Sequence, residues 1–184
     1  MAKLFICMAD GCEEVEALTV VDLVRRAGIQ MDMVSITGNK TITGSHNIVM
    51  ETDALMEDVD LSKYDGVVLP GGMPGTNHLK ADERVLLAIK KFAKDNKLVA
   101  AICAAPTVLG YAGLLEGKKA TCYPGMEDGL LGATKETKEV VEDGNIITSR
   151  GLGTAVAFGL SIVSYFTDEK TAQNLGNAIV YKAN

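Results

Sequence analysis

No tryptophan occurs in the 184 residues, and there are only two histidines, His46 and His78. Any chemistry that needs an imidazole has two candidates and no more. Lysine and arginine never cluster beyond the doublets Arg25–Arg26, Lys90–Lys91 and Lys118–Lys119, none interleaved with aromatics. A nucleic-acid face wants a basic track and stacking rings together. With a net charge of −6 as well, a polyanionic partner is excluded. Long apolar runs are also missing: the first, "KLFICM", reaches Asp10 quickly, far short of the roughly 20 residues of a membrane-crossing helix. No small-residue cleavage site follows it, so the expectation is a cytoplasmic protein with no membrane partner. The four cysteines, at 7, 12, 103 and 122, show no C-x-x-C spacing and no histidine-rich company. A zinc site is therefore not expected, and free thiols are.

What is present is an alternation of apolar runs with helical patterns. Lys3 to Met8 reads as a strand. "EEVEALTVVDLVRRAG" follows as a helix with Val15, Leu18, Val21, Leu23, Val24 and Ala27 on or near one face, stopped by Gly28. "IQMDMVSI" alternates as a second strand, and residues 40 to 57 suggest a hairpin around Gly44-Ser45-His46-Asn47. "YDGVVLPGG" is a buried strand broken at Pro70-Gly71-Gly72, with a helix expected over roughly 79 to 95. "KLVAAICAAPTVLGYAGLL" and "NIITSRGLGTAVAFGLSIVSYF" each add a strand and a helix, and 168 to 182 close the chain in a mostly helical segment. Val-, Ile- and Leu-rich strands alternating with helices predict one doubly wound α/β domain, 1–184, around a mostly parallel sheet. Its sites should collect at the carboxyl ends of the strands.

Cys103 lies at such an end. It is either a packed core thiol or the nucleophile of a strand-to-helix elbow. Ala101, Ala104 and Ala105 supply the small neighbours that a sharp elbow requires, and Pro106 suits the first turn of the following helix. That helix's N-terminus is expected to lower the thiol's pKa. His46 and His78 are better placed as surface or helix-start residues than as its base. Glu13 and Glu14 need only the helix dipole to explain them, whereas Glu16 lies near the apolar stripe and can face the sheet as a proton carrier. Pro70-Gly71-Gly72 offers backbone N–H groups to an oxyanion or is simply a tight corner. Cys7 reads as core; Cys12 and Cys122 read as loop or strand-end thiols open to oxidation.

Four stretches in this order, "DGCEEVEALTVVDLVRRAGI", "YDGVVLPGGMPGTNHL", "LVAAICAAPTVLGYAGLL" and "IITSRGLGTAVAFGLSIV", resemble the DJ-1 branch of the DJ-1/ThiJ/PfpI superfamily from Lys3 to about Asn184. The resemblance implies a flavodoxin-like (Rossmann-like) three-layer sandwich, a homodimer, and activity without a cofactor or metal. It makes Cys103 the elbow cysteine and Glu16 the protonated glutamate that bonds its sulfur. Gly72 and Ala104 become oxyanion N–H donors, and Asp22 with Arg25 or Arg26 a dimer interface at the site rim. Two residues depart from relatives: Ala104 stands where protease-like members carry histidine, and Tyr123 where many DJ-1-like members carry one. The implied function is a glyoxalase or deglycase acting on small aldehydes such as methylglyoxal, with Cys103 and Glu16 catalytic and Tyr123 a weak third participant. The alternative is an oxidative-stress sensor or chaperone that uses oxidation of Cys103.

Overall fold

The computed structural model describes residues 2–182. Strands β1 (Lys3–Met8), β2 (Gln30–Ser35), β3 (Thr41–Thr43), β4 (Val49–Glu51), β5 (Ala54–Leu55), β6 (Gly66–Leu69), β7 (Leu98–Ile102), β8 (Lys119–Ala120), β9 (Thr134–Lys135), β10 (Val140–Asp143) and β11 (Ile146–Ser149) are joined by six helices. These are α1 (Glu14–Arg26), α2 (Gly75–Ala81), α3 (Glu83–Lys94), α4 (Pro106–Tyr111), α5 (Ala155–Phe166) and α6 (Glu169–Ala178). The central sheet runs β10-β11-β7-β6-β1-β2-β5, parallel throughout except for the β10–β11 edge pair. This is the flavodoxin-like α/β arrangement.

The alternation of side chains along β1 divides the core. Phe5 and Cys7 face α2, α3 and α4, packing with Leu79, Val85, Ile89, Phe92 and Val108. Leu4, Ile6 and Met8 face the opposite layer, with Val20 and Val24 of α1 and Phe158 and Ile162 of α5. Both sides of the sheet are thus covered, which explains strands that are apolar without polar alternation. Because β7 and β6 lie centrally, their carboxyl ends bring Cys103 and Pro70-Gly71-Gly72 side by side.

Three expectations need correction. The helix expected over 79–95 is two helices broken at Asp82, whose backbone is extended and whose carboxylate caps α3 through the N–H groups of Arg84 and Val85. Asp82→Ala should cost about 1–2 kcal/mol in urea unfolding, the usual worth of such a cap. On α1, the inward face is Glu16, Ala17, Val20, Leu23 and Val24, whereas Val15 and Leu18 point outward at 46% and 39% exposure. Cys12 and Cys122 are fully buried, not open loop thiols. Burial pushes them up to about 12 and about 11 respectively, which keeps them as inert thiols.

Candidate active site

β7 is buried along its whole length and delivers the chain into Cys103, whose φ is 64°. Few side-chain-bearing residues adopt that left-handed region, and a strained corner of this kind is what an elbow requires. Neighbouring backbone holds the corner: the Cys103 N–H donates to the Ser149 carbonyl at 3.0 Å, and its own carbonyl accepts from the Tyr123 N–H at 2.8 Å. Ala104 and Ala105 are buried beside it, while the thiol itself is half-buried, so a small molecule can reach it.

Three groups converge on the sulfur. The N–H groups of Gly72 and Ala104 lie close enough to favour a thiolate, and the carboxyl of Glu16 lies close enough to oppose one. Glu16 is 1% exposed, held inward by its place on the α1 stripe, and its Oε2 accepts the Gly71 N–H at 3.0 Å. Gly71 must lack a side chain, since a Cβ there would stand 2.4 Å from Cys103 Cβ and 2.6 Å from Glu16 Oε2. Gly72 turns with φ +87°, a conformation that suits glycine, and its N–H favours the charged form of the sulfur.

Electrostatics bind the two groups into one unit. Burial, reinforced by the charge of Glu13, pushes the Glu16 carboxyl up to about 7, against the lowering effect of its hydrogen bond to Cys103. Burial, then the negative charge of Glu16, pushes the Cys103 thiol up to about 12, against the Gly72 and Ala104 N–H groups. The expected lowering by the helix terminus is therefore overturned: α4 spans six residues, and burial beside a carboxylate outweighs it. The pair holds at least one proton through neutral pH and titrates jointly. When that proton sits on Glu16, the repulsion vanishes and the acid can donate to a thiolate.

Tyr123 lies at the rim, 51% exposed, its ring edge 3.5 Å from where a Cβ on Gly151 would stand. No side-chain hydrogen bond ties it to the Cys103–Glu16 pair among the described residues. The histidines stand elsewhere: His78 Nδ1 donates to the Asp10 carbonyl, and His46 in the hairpin turn pairs with Glu14 at 3.0 Å. Asp22, Arg25 and Arg26 are not brought to the pair, since they lie six to ten residues beyond Glu16, about 9–15 Å along the helix axis. Arg25 is committed to the Met31 carbonyl and Asp53, and Arg26 to Asp22. Two residues take roles that sequence does not show: Gly71, within the N–H-donating turn, bonds Glu16, and Glu13, beyond its helix-dipole role, caps α1 by accepting the Glu16 N–H at 2.6 Å.

Comparison with known proteins agrees with this geometry. The DJ-1/PfpI family pattern matches residues 2–165. Protein dj-1beta of Drosophila melanogaster is 35% identical over 97% of this chain and 97% of its own; its crystal structure superposes with a TM-score of 0.93 over the full length of both chains. Protein DJ-1 homolog B of Arabidopsis thaliana is 37% identical over 99% of this chain, which spans only 42% of that longer protein. Deglycase TK1284 of Thermococcus kodakarensis is 34% identical over 85% of this chain and 94% of its own. The oxidized DJ-1 of Toxoplasma gondii superposes with a TM-score of 0.95 at 29% identity over all of both chains. The left-handed cysteine at the end of a central strand, met by a buried glutamate and a Gly-Gly turn, thus stands in a chain matched from end to end by DJ-1 proteins: it belongs to the DJ-1/PfpI family.

Proposed function

We propose that this protein is a cysteine-dependent, cofactor-free glyoxalase or deglycase-like enzyme acting on small α-oxoaldehydes such as methylglyoxal, or on their protein adducts. The observation that carries the reading is the Cys103–Glu16 pair: a half-buried sulfur beside a buried carboxyl and two backbone N–H groups that act on its charge. The similarity to a deglycase supports it.

The chemistry balances without an external oxidant. The pair's proton moves to Glu16, and the Cys103 thiolate attacks the aldehyde carbon of methylglyoxal. The C–S bond forms as the carbonyl π electrons move to oxygen, and the hemithioacetal oxyanion is met by the Gly72 and Ala104 N–H groups before it takes the proton of Glu16. Glu16, now a carboxylate, removes the hydrogen from that carbon and returns it to the adjacent one, while the hydroxyl proton on the first carbon's oxygen passes to the oxygen of the second. The first carbon is thereby oxidised to a thioester and the second reduced to an alcohol. Water cleaves the thioester, releasing lactate and restoring the thiol. The walls of alanine and glycine suit so small a substrate. Peptidase chemistry is not proposed, because Ala104 brings no imidazole and both histidines are engaged elsewhere.

Reduced wild-type protein incubated with methylglyoxal, without glutathione, should convert it to lactate. A flat trace from folded protein with a free Cys103 thiol would sink the enzyme reading. A second reading rests on the same N–H groups and on a relative known in oxidized form: peroxide oxidises Cys103 to a sulfinate held by Gly72, Ala104 and Glu16. Intact-mass analysis after peroxide titration should then show a gain of two oxygens confined to Cys103. A homodimer belongs to both readings. The exposed Val15 and Leu18 of α1, with Ile48 and Val49 at the hairpin, offer an apolar face to a second copy.

A further inference from the structure

Two glycines beside the sulfur are required by the fold, and a third is not. A Cβ on Gly71 would stand 2.4 Å from Cys103 Cβ, and Gly72 occupies the left-handed region. Gly151 has a φ of 163°, extended backbone open to any residue. A Cβ there would meet nothing closer than Tyr123 Cδ2 at 3.5 Å and Glu16 Oε1 at 3.8 Å, both ordinary contacts. Neither conformation nor packing therefore calls for glycine at 151. The omitted side chain leaves an opening between an aromatic ring and a carboxyl oxygen of the reacting pair.

We propose, on the glyoxalase reading, that Gly151 and Tyr123 together form a size filter for the substituent on the keto carbon, admitting hydrogen or methyl and turning away a ring. In that reaction the sulfur holds the aldehyde carbon and Glu16 carries a hydrogen to its neighbour, so the keto carbon lies against Glu16. Glu16 Oε2 is occupied by the Gly71 N–H, on the side where the turn has no room even for a Cβ. The substituent is left the Oε1 side, which Gly151 and the Tyr123 ring bound.

The two walls differ in stiffness. Gly151 cannot retreat: its N–H donates to Thr154 Oγ1 at 3.1 Å, and its carbonyl accepts the Thr154 N–H at 2.8 Å. Two residues earlier the Ser149 carbonyl accepts the Cys103 N–H at 3.0 Å, which fixes the segment to the elbow. Tyr123 is anchored through its backbone, whose N–H bonds the Cys103 carbonyl, while its side chain stands at the rim. Gly151→Ala thus narrows the opening from the fixed wall. Tyr123→Ala removes the other wall and keeps the backbone bond.

The test is kcat/KM of wild type, Gly151→Ala and Tyr123→Ala for glyoxal, methylglyoxal and phenylglyoxal, which differ only in that substituent. Gly151→Ala should lower the ratio of methylglyoxal to glyoxal by about tenfold or more, the worth of one methyl group that no longer fits. Tyr123→Ala should raise the ratio of phenylglyoxal to methylglyoxal by about tenfold or more. Losses common to all three aldehydes cancel in these ratios, so damage to the pair itself cannot mimic the result. The new Cβ makes only ordinary contacts and the Tyr123 ring is half exposed, so both variants should fold. A smaller change in either ratio would overturn the filter. If folded wild type converts none of the three, the enzyme reading fails, and alkylation of Cys103 judges the filter instead. Tyr123→Ala should then raise the rate with iodoacetanilide relative to iodoacetamide, and Gly151→Ala should lower it. The thiolate fraction cancels in that ratio too, and values equal to wild type would overturn the filter.

Discussion

Replacing Glu16 by glutamine should lower methylglyoxal turnover by about 10²–10⁴-fold, the usual contribution of a positioned acid–base group, and Cys103→Ser should leave no measurable turnover. The two variants fail at different steps. The serine hydroxyl, far less acidic than a thiol, has only a carboxylate of pKa about 7 to take its proton, so no nucleophile forms. Glutamine keeps an oxygen for the Gly71 N–H but can neither take the thiol's proton nor carry the hydrogen between the two carbons; because it also removes the negative charge that holds the Cys103 thiol up, a slow attack by the thiolate fraction remains. Glu16→Gln should therefore still bind the aldehyde, forming the hemithioacetal by mass while the lactate signal stays low. Loss of both signals would mean that Glu16 is already required to form the thiolate. Turnover within threefold of wild type in Glu16→Gln would remove Glu16 from the chemistry. Tyr123→Phe is a useful contrast: a rim residue without a hydrogen bond to the pair should change turnover by less than the catalytic group does.

Much of this site is readable from residues because the fold relies on local signals. Small neighbours around Cys103 mark the elbow, and the strand run before it fixes where the elbow lies. What could not be read is tertiary. Val15 and Leu18 fit a helical stripe as well as Val20 and Leu23 do, and only the position of the sheet decides which stripe turns inward. The same rotation buries Glu16. Asp82 ends one helix and caps the next within a continuous helical pattern, so its extended backbone has no periodic signature. The β10–β11 hairpin carries a turn signal, Asp143-Gly144, but Val140–Asp143 before it is too short and too acidic to stand out as a strand. The sign of the Cys103 shift is unreadable for another reason. A helix terminus is visible in sequence, whereas the degree of burial and a carboxylate at the sulfur are not.

The stability of the protein should fall as pH rises through neutrality, and Glu16→Gln should abolish most of that fall. The Glu16 carboxyl titrates at about 7 in the folded protein, against 4.5 for the ordinary group. The folded state therefore holds a proton that the unfolded chain has released. The associated stability is fully present below pH 4.5 and is lost as pH rises through about 7, because a buried carboxylate must then carry its charge. A difference of this size corresponds to about 3 kcal/mol over the whole window, and about 2–3 kcal/mol between pH 5 and pH 8. Glutamine keeps the shape and the Gly71 hydrogen bond but never ionises. Every other titrating group is common to both proteins, and the wild-type Cys103 thiol, pushed up to about 12, stays protonated across the window. Urea unfolding of the reduced proteins at pH 5 and pH 8 should thus show Glu16→Gln gaining about 2–3 kcal/mol on wild type at the higher pH. A gap that is the same at both pH values would mean that Glu16 is not held protonated by its surroundings. The two measurements on this one variant then answer each other. A residue that lowers stability where it ionises, and whose removal costs turnover, is kept in the core for chemistry rather than for packing.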